Sequence, residues 1–218
     1  MALEAVVFDF DGTILDTESS ELTAWLEEYA RHGVPFDRAA WLAAIGGSGR
    51  SLDPAADLAR AVGAGFDAAA TRTRQRERWL QLVGEAELLA GVEERLDEAD
   101  QLGLRLAVAT SSGVGWAGAH LRRLGLLDRF AAVCTRDDVA RVKPDPELYL
   151  LACARLGVAP ERAVAIEDSA NGVRAANAAG LFTVAVPNPV TAGQDHAHAD
   201  LRVASLTELS LRDLSARL

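Results

Sequence analysis

Lysine is almost missing from this chain. The 22 cationic residues of its 218 are 21 arginines and one lysine, Lys143. A bulk preference for Arg reflects genomic bias more than chemistry, so the one retained ammonium raises the question of what a compact point charge does there that a planar fork cannot. Cysteine is equally scarce. Cys134 and Cys153 are 19 positions apart with no His close by, which excludes a disulfide framework or a zinc site. Positive charge overall is in deficit: the formal net charge is −10 at pH 7. An acidic surface repels polyphosphate backbones and argues against nucleic acid as the main partner, yet leaves room for a small phosphorylated substrate in one locally positive pocket. No apolar run reaches the roughly 18–20 residues that would span a bilayer, so no membrane partner is expected. Met1 to Glu4 carries no basic region and Asp9 and Asp11 cut the first apolar run short, so a signal peptide is not expected either and a cytoplasmic location is.

What is present suffices for a full-sized core. The chain is 50% hydrophobic and 25% charged, consistent with one domain plus a modest insertion. Residues 3–8 form a short β-branched run that stops at Asp9-Phe10-Asp11-Gly12-Thr13, the pattern of a buried parallel strand entering a turn. Residues 17–31 have helical spacing, with Leu22, Trp25, Leu26 and Tyr29 on one face, and helical text continues to about residue 83 without a strand. From residue 91 strands and helices alternate: strands at 104–109, 131–134, 163–166 and 182–186, helices at 114–124, 146–156 and 170–179. This pattern predicts an α/β fold, a doubly wound Rossmann-like parallel sheet. Residues 15–87 interrupt it after the first strand and predict an inserted all-helical domain, with residues 1–14 and 88–218 forming the core.

In open α/β sheets ligands bind at the carboxyl ends of the strands. There stand Asp9 and Asp11, then Thr110-Ser111-Ser112, then Glu167-Asp168, with Lys143 in the loop before the helix near Pro146. Crowded carboxylates repel, by about 4 kcal/mol for a pair at 4 Å and an effective dielectric near 20, so such a set persists only with cations among it. Hard oxygen ligands without His or Cys select Mg²⁺, and Lys143 supplies a second positive charge. A divalent cation, an ammonium, hydroxyls and a free carboxylate suit phosphoryl transfer to an aspartate.

Asp9-Phe10-Asp11-Gly12-Thr13, Val108-Ala109-Thr110-Ser111, Lys143-Pro144-Asp145-Pro146 and Ile166-Glu167-Asp168-Ser169 resemble, in order, the four motifs of the haloacid dehalogenase-like hydrolase superfamily. Within it the chain is similar to the branch of phosphoglycolate phosphatases, sugar-phosphate phosphatases and β-phosphoglucomutases. The resemblance implies a Mg²⁺-dependent phosphatase of a small phosphorylated metabolite, acting through an aspartyl phosphate, with the helical insertion as a substrate-selecting lid. It implies Asp9 as nucleophile and Asp11 as general acid and base, whose backbone carbonyl also meets the metal. Gly12 makes the tight turn, and Thr110 and the Ser111 amide hold phosphoryl oxygens. Lys143 neutralises phosphoryl group and nucleophile, and Asp168, assisted by Glu167, binds metal with Asp9. It also implies Arg50, in the cap segment after Gly46-Gly47-Ser48-Gly49, as a substrate contact.

Plainer readings stand beside these. Thr110–Ser112 and Glu167–Ser169 each precede a helix and are expected to cap it, and Asp16 is expected to cap the first inserted helix. The glycines at 46–49 follow a helix and lack the Lys-[Ser/Thr] ending of a nucleotide loop. Arg72, Arg74, Arg76 and Arg78 read as a solvated face or, less favoured, an anion clamp. His196 and His198 read as parts of a polar loop, His32 and His120 show no partner, and Trp25, Trp41, Trp79 and Trp116 read as packing residues. The β-phosphoglucomutases resemble this chain but carry a His four residues before the aromatic at Trp25, where this chain has Glu21, which weighs against mutase activity. The dehalogenase branch lacks the second acid that Asp11 provides. A non-catalytic binding protein on the same fold is the remaining alternative, yet all the catalytic residue types are present.

Overall fold

The structure, a computed structural model, describes residues 2–45 and 52–218. Arg50 and the neighbouring glycines at 46–49 lie outside the described residues. The first strand, β1 (Ala5–Phe8), is apolar throughout and buried throughout. It pairs in parallel with β2 (Arg105–Ala109) on one side and β4 (Ala163–Glu167) on the other. Beyond these lie β3 (Ala132–Cys134) and, at the opposite side, β5 (Phe182–Ala185) and β6 (Leu201–Arg202), so the six-stranded order is β3-β2-β1-β4-β5-β6. A strand so central must be covered on both faces, which is why it reads as a continuous apolar run instead of an alternating one. One face carries Val6, Phe8, Val108 and Ile166 with Leu96, Leu121 and Leu214. The other carries Ala5, Val7, Ala107 and Ala165 with Tyr149, Ala152 and Ala176.

Between β1 and β2 the chain is helical: α1 (Thr17–Arg31), α2 (Arg38–Ile45), α3 (Pro54–Val62), α4 (Ala68–Glu85) and α5 (Val92–Gln101). Helices α6 (Val114–Arg123), α7 (Glu147–Leu156), α8 (Ala170–Ala178) and α9 (Leu211–Arg217) follow the later strands. Asp16 caps α1, its side chain accepting from the Ser19 amide. The first helices have a small core of their own, in which Trp25, Tyr29, Ala55 and Leu58 meet Val34, Phe36 and Phe66. The entering and leaving connections run side by side, for Leu15 bridges Leu88 antiparallel and the Leu89 amide donates to the Ile14 carbonyl at 3.0 Å.

Several elements differ from expectation. The arginines of α4 are solvated as expected, but three of them are paired with acids of neighbouring helices. Arg72 pairs with Asp53, Arg74 with Glu28 and Arg78 with Glu27, stitching α4 to α3 and α1. Arg76 remains exposed. His196 does not belong to a solvated loop: it is buried, whereas His198 is exposed. His120 and His32 make edge-on ring contacts with Trp116 and Phe66, while His120 Nδ1 and His32 Nε2 are buried without a hydrogen-bond partner among the described residues, as expected. The two-residue β6 carries no periodicity that could announce a strand.

Candidate active site

Every β-strand end that the sequence marks as chemical opens on one cavity of about 410 Å³. Asp9 enters it directly from β1, with its amide donating to the Ile166 carbonyl of β4. Lys143 reaches in from the loop before α7, and its Nζ lies 2.5 Å from Asp9 Oδ1 and 2.5 Å from Glu167 Oε1. Its side chain is only 5% exposed. Burial alone would pull this ammonium down, but the carboxylates of Asp9 and Glu167 hold it above its ordinary value. The Tyr149 ring lies 4.9 Å below the Nζ, and its hydroxyl donates to Glu167 Oε1 at 2.7 Å. Burial and the neighbouring carboxylates push the Tyr149 phenol well up, so it stays a donor.

Asp9, Glu167 and Asp168 are buried and offer oxygens within 4.8 Å of one another. Burial pushes Asp9 well above the carboxylate range, with Lys143 opposing and Glu167 and Asp11 reinforcing. Asp168 is raised in the same way by burial, then by Glu18, Asp9 and Glu167. Three carboxylates around one ammonium leave negative charge unmatched, and the donors are all hard oxygens, a set that fits a divalent cation of the Mg²⁺ type. Glu167 is already occupied by Lys143 and Tyr149 on Oε1 and by the Ser169 amide and hydroxyl on Oε2, at 3.3 and 3.2 Å. Among the described residues, Asp9 Oδ2 and Asp168 Oδ1 accept no hydrogen bond and are the open oxygens.

Gly12 has φ of +84°, and a Cβ there would run into Asp168 and Asn188, so the motif glycine answers both to backbone and to space. Thr110 is buried and takes the Ser112 amide on its hydroxyl at 3.0 Å. Ser111 is exposed at the cavity. This segment does not cap α6 as expected. Gly113 occupies the cap without a side-chain bond, and Asp137 accepts from the Val114 amide. Ser169 does cap α8, accepting from the Gly172 amide at 3.1 Å.

Six further residues shape the site. Asn188 donates to Asp168 Oδ2 at 2.8 Å, to Glu18 Oε2 at 3.2 Å and to the Gly12 carbonyl at 3.3 Å. The His196 ring sets Nε2 2.8 Å from the Asp168 carbonyl. Gly172 leaves the room that Glu167 occupies, since a Cβ there would overlap the carboxylate. Glu18 lines the cavity, its carboxyl pushed up to about 7 by burial, against which the Asn188 hydrogen bond works. Tyr149 completes the lysine's surroundings. Trp116 donates to Asp11 Oδ1 at 2.9 Å, so it is more than a packing residue. In sequence Trp116 reads as packing and His196 as part of a polar loop, and Asn188, Gly172 and Tyr149 give no signal; Asp168 lies 20 positions from Asn188 and 28 from His196.

The sequence profile of the haloacid dehalogenase-like hydrolases matches residues 3–180. Hexitol phosphatase B of Escherichia coli (strain K12) is 34% identical over 214 residues, 96% of each chain. The crystal structure of CbbY from Rhodobacter sphaeroides in complex with phosphate is similar over 99% of this chain and 100% of that one, at 34% identity and a TM-score of 0.73. A mutant of that protein in complex with xylulose-(1,5)bisphosphate matches over 95% and 96%, at 34% identity and a TM-score of 0.70. The chain belongs to the haloacid dehalogenase-like hydrolases. Within that family it is a phosphatase. Among the described residues, no helix is long and apolar enough to cross a membrane.

Proposed function

We propose that the protein is a Mg²⁺-dependent phosphatase of a small, hydroxyl-rich phosphate monoester, working through a phosphoryl group carried on Asp9, with residues 15–87 as a lid over residues 1–14 and 88–218. The observation that carries this reading is the pairing of Asp9 and Lys143 at the floor of the cavity. A buried carboxylate has one oxygen held by the only lysine of the chain and the other without a hydrogen bond. That free oxygen attacks phosphorus, the Asp9 O–P bond forms, and the bond from phosphorus to the leaving oxygen breaks. Asp11 gives its proton to that oxygen, then takes one from the water that attacks the phosphoryl group and regenerates Asp9. Thr110 and the Ser111 amide hold phosphoryl oxygens, and Gly12 lets the chain approach them. Lys143 balances charge on both nucleophile and phosphoryl group. Asp9, Asp168 and the Asp11 carbonyl would hold the metal, with Glu167 serving it at one remove by fixing Lys143; bound there it would neutralise charge on the phosphoryl oxygens.

The outer wall supports the substrate class. Glu18 and Glu21 project from α1 and Trp79 from α4, and among the described residues lining the cavity Lys143 is the one cation. Carboxylates accept hydrogen bonds from hydroxyls and repel a second anion. A polyol or sugar monophosphate therefore suits this wall better than phosphoglycolate or a bisphosphate. Steady-state kinetics across such a panel test it. Sugar and hexitol phosphates should lead in kcat/KM, turnover should cease in EDTA and return with Mg²⁺, and Asp9→Asn should be inactive. Phosphoglycolate in first place would overturn the substrate class, and an active Asp9→Asn enzyme would overturn the mechanism.

A further inference from the structure

Both oxygens of Asp11 are held, and by different kinds of donor. Ser112 Oγ donates to Oδ2 at 2.6 Å, with Thr110 Oγ1 3.3 Å away on the same oxygen. On Oδ1 the partner is the Trp116 indole N–H at 2.9 Å. Hydroxyls rotate and can donate or accept; an indole N–H only donates, along one fixed direction of a rigid ring. Oδ1 therefore sets the plane of the carboxyl, and the ring that sets it is itself fixed from the far side. Trp116 stands on α6, and Trp79 of α4 stacks on it with centroids 4.8 Å apart and planes 20° apart. Trp79 is anchored in turn through its own N–H to the Thr17 carbonyl at 3.0 Å, at the first residue of α1. Edge-on contact with His120, at 4.4 Å, closes the remaining side of Trp116.

We infer that Trp116 is the positioning residue of Asp11, and that Trp79, stacked on it from the inserted helices, carries the placement of α4 to the carboxyl that protonates the leaving oxygen. The inference rests on the proposed role of Asp11 as acid. In that step the proton passes from Asp11 to the oxygen that departs from phosphorus. A misaimed carboxyl therefore slows, in that step, substrates whose leaving oxygen needs the proton and spares those whose leaving group departs as a stable anion, whereas the later water step is common to both. Hydrogen bonds to charged groups contribute enough that losing one corresponds to about tenfold or more in rate when the group acts in the transition state.

The test compares kcat/KM, which reads the leaving-group step without the later water step, on a hexitol phosphate, whose alkoxide needs protonation, and on p-nitrophenyl phosphate, whose phenolate does not. Trp116→Phe keeps the ring and removes the N–H. The ratio of the two kcat/KM values should fall about tenfold relative to wild type. Trp79→Phe keeps the Trp116 N–H but loosens its backing, and should lower the same ratio about threefold. Asp11→Asn serves as the reference and should lower it most. Urea midpoints of all variants check folding, and Trp79→Phe keeps the question open to measurement should Trp116→Phe fail to fold. If Asp11→Asn lowers the ratio and neither tryptophan variant does, the positioning role is refuted while the acid assignment stands. If Asp11→Asn lowers kcat/KM equally on both substrates, the acid assignment itself falls, and this inference falls with it.

Discussion

Replacing Lys143 by methionine keeps most of the length of the side chain and deletes its charge. The ammonium nitrogen sits 2.5 Å from an oxygen of Asp9 and 2.5 Å from one of Glu167. At an effective dielectric near 20, each contact corresponds to about 6–7 kcal/mol of Coulomb attraction, most of it offset by the cost of taking the ions out of water. Without the lysine, Asp9, Glu167 and Asp168 remain within 4.8 Å of one another with nothing between them, a repulsion of about 3 kcal/mol per ionised pair on the same scale. Breaking a buried pair from one side costs about 3–5 kcal/mol, and that is the expected loss in urea unfolding of the metal-free protein at pH 8. The sign of its pH dependence follows from Asp9 and Asp168, whose carboxyls already stand above their ordinary range. Groups raised in the folded state favour folding where they are protonated and lose that contribution as pH rises through the folded value, so the loss should shrink towards pH 5. If the same interaction energy acts on the transferring phosphoryl group, kcat with Mg²⁺ falls about 10²–10⁴-fold. Lys143→Arg should not rescue it, because a planar fork cannot fill a site built for a point charge above the Tyr149 ring. A Lys143→Met variant with a wild-type urea midpoint and a rate within about threefold of wild type would refute this reasoning.

Two further outcomes are expected. Glu18→Gln removes a carboxyl raised from 4.5 to about 7; ionising it in the fold costs stability as pH rises through that window. In EDTA the variant should therefore gain on wild type by roughly 2–3 kcal/mol between pH 5 and pH 8, measured by urea denaturation, and a constant difference would contradict the burial assigned to Glu18. Gly172→Ala places a methyl into the Glu167 carboxylate, which must then swing away from Lys143. Activity on p-nitrophenyl phosphate should drop at least about tenfold while the same change at Gly115, where a Cβ meets nothing, leaves it unaltered.

Legibility in the sequence followed the range of the interactions. β1, β2 and β4 announced themselves because a strand covered on both faces is apolar at nearly every position, and each ends in residues whose polarity breaks the run abruptly. The charged and hydroxyl residues at those ends were likewise visible, since chemistry at a strand terminus needs particular residue types. Trp116 was not visible: an indole has the same local signature whether it fills a core or holds a carboxyl 105 positions away. Asn188 and His196 sit in a stretch without periodicity and gain meaning only when Asp168 folds against them. The arginines of α4 looked like a solvated face because their acidic partners lie on other helices. β6 pairs through two residues only and depends on β5 for its existence.

The adjacency of Ile14 and Leu89 has a consequence for how this chain can change. On the proposed division into core and lid, the helical segment departs and returns through a single doorway and would be an interchangeable attachment to the phosphate end, provided that a ring like that of Trp79 still backs Trp116. A short bridge across that doorway would leave the six-stranded sheet uncut, and a foreign helical segment spliced there would inherit the proposed nucleophile Asp9, Lys143 and the acid pair. New substrates would thus be reachable by swapping what hangs above the strand ends, so long as the new segment keeps the ring that backs Trp116.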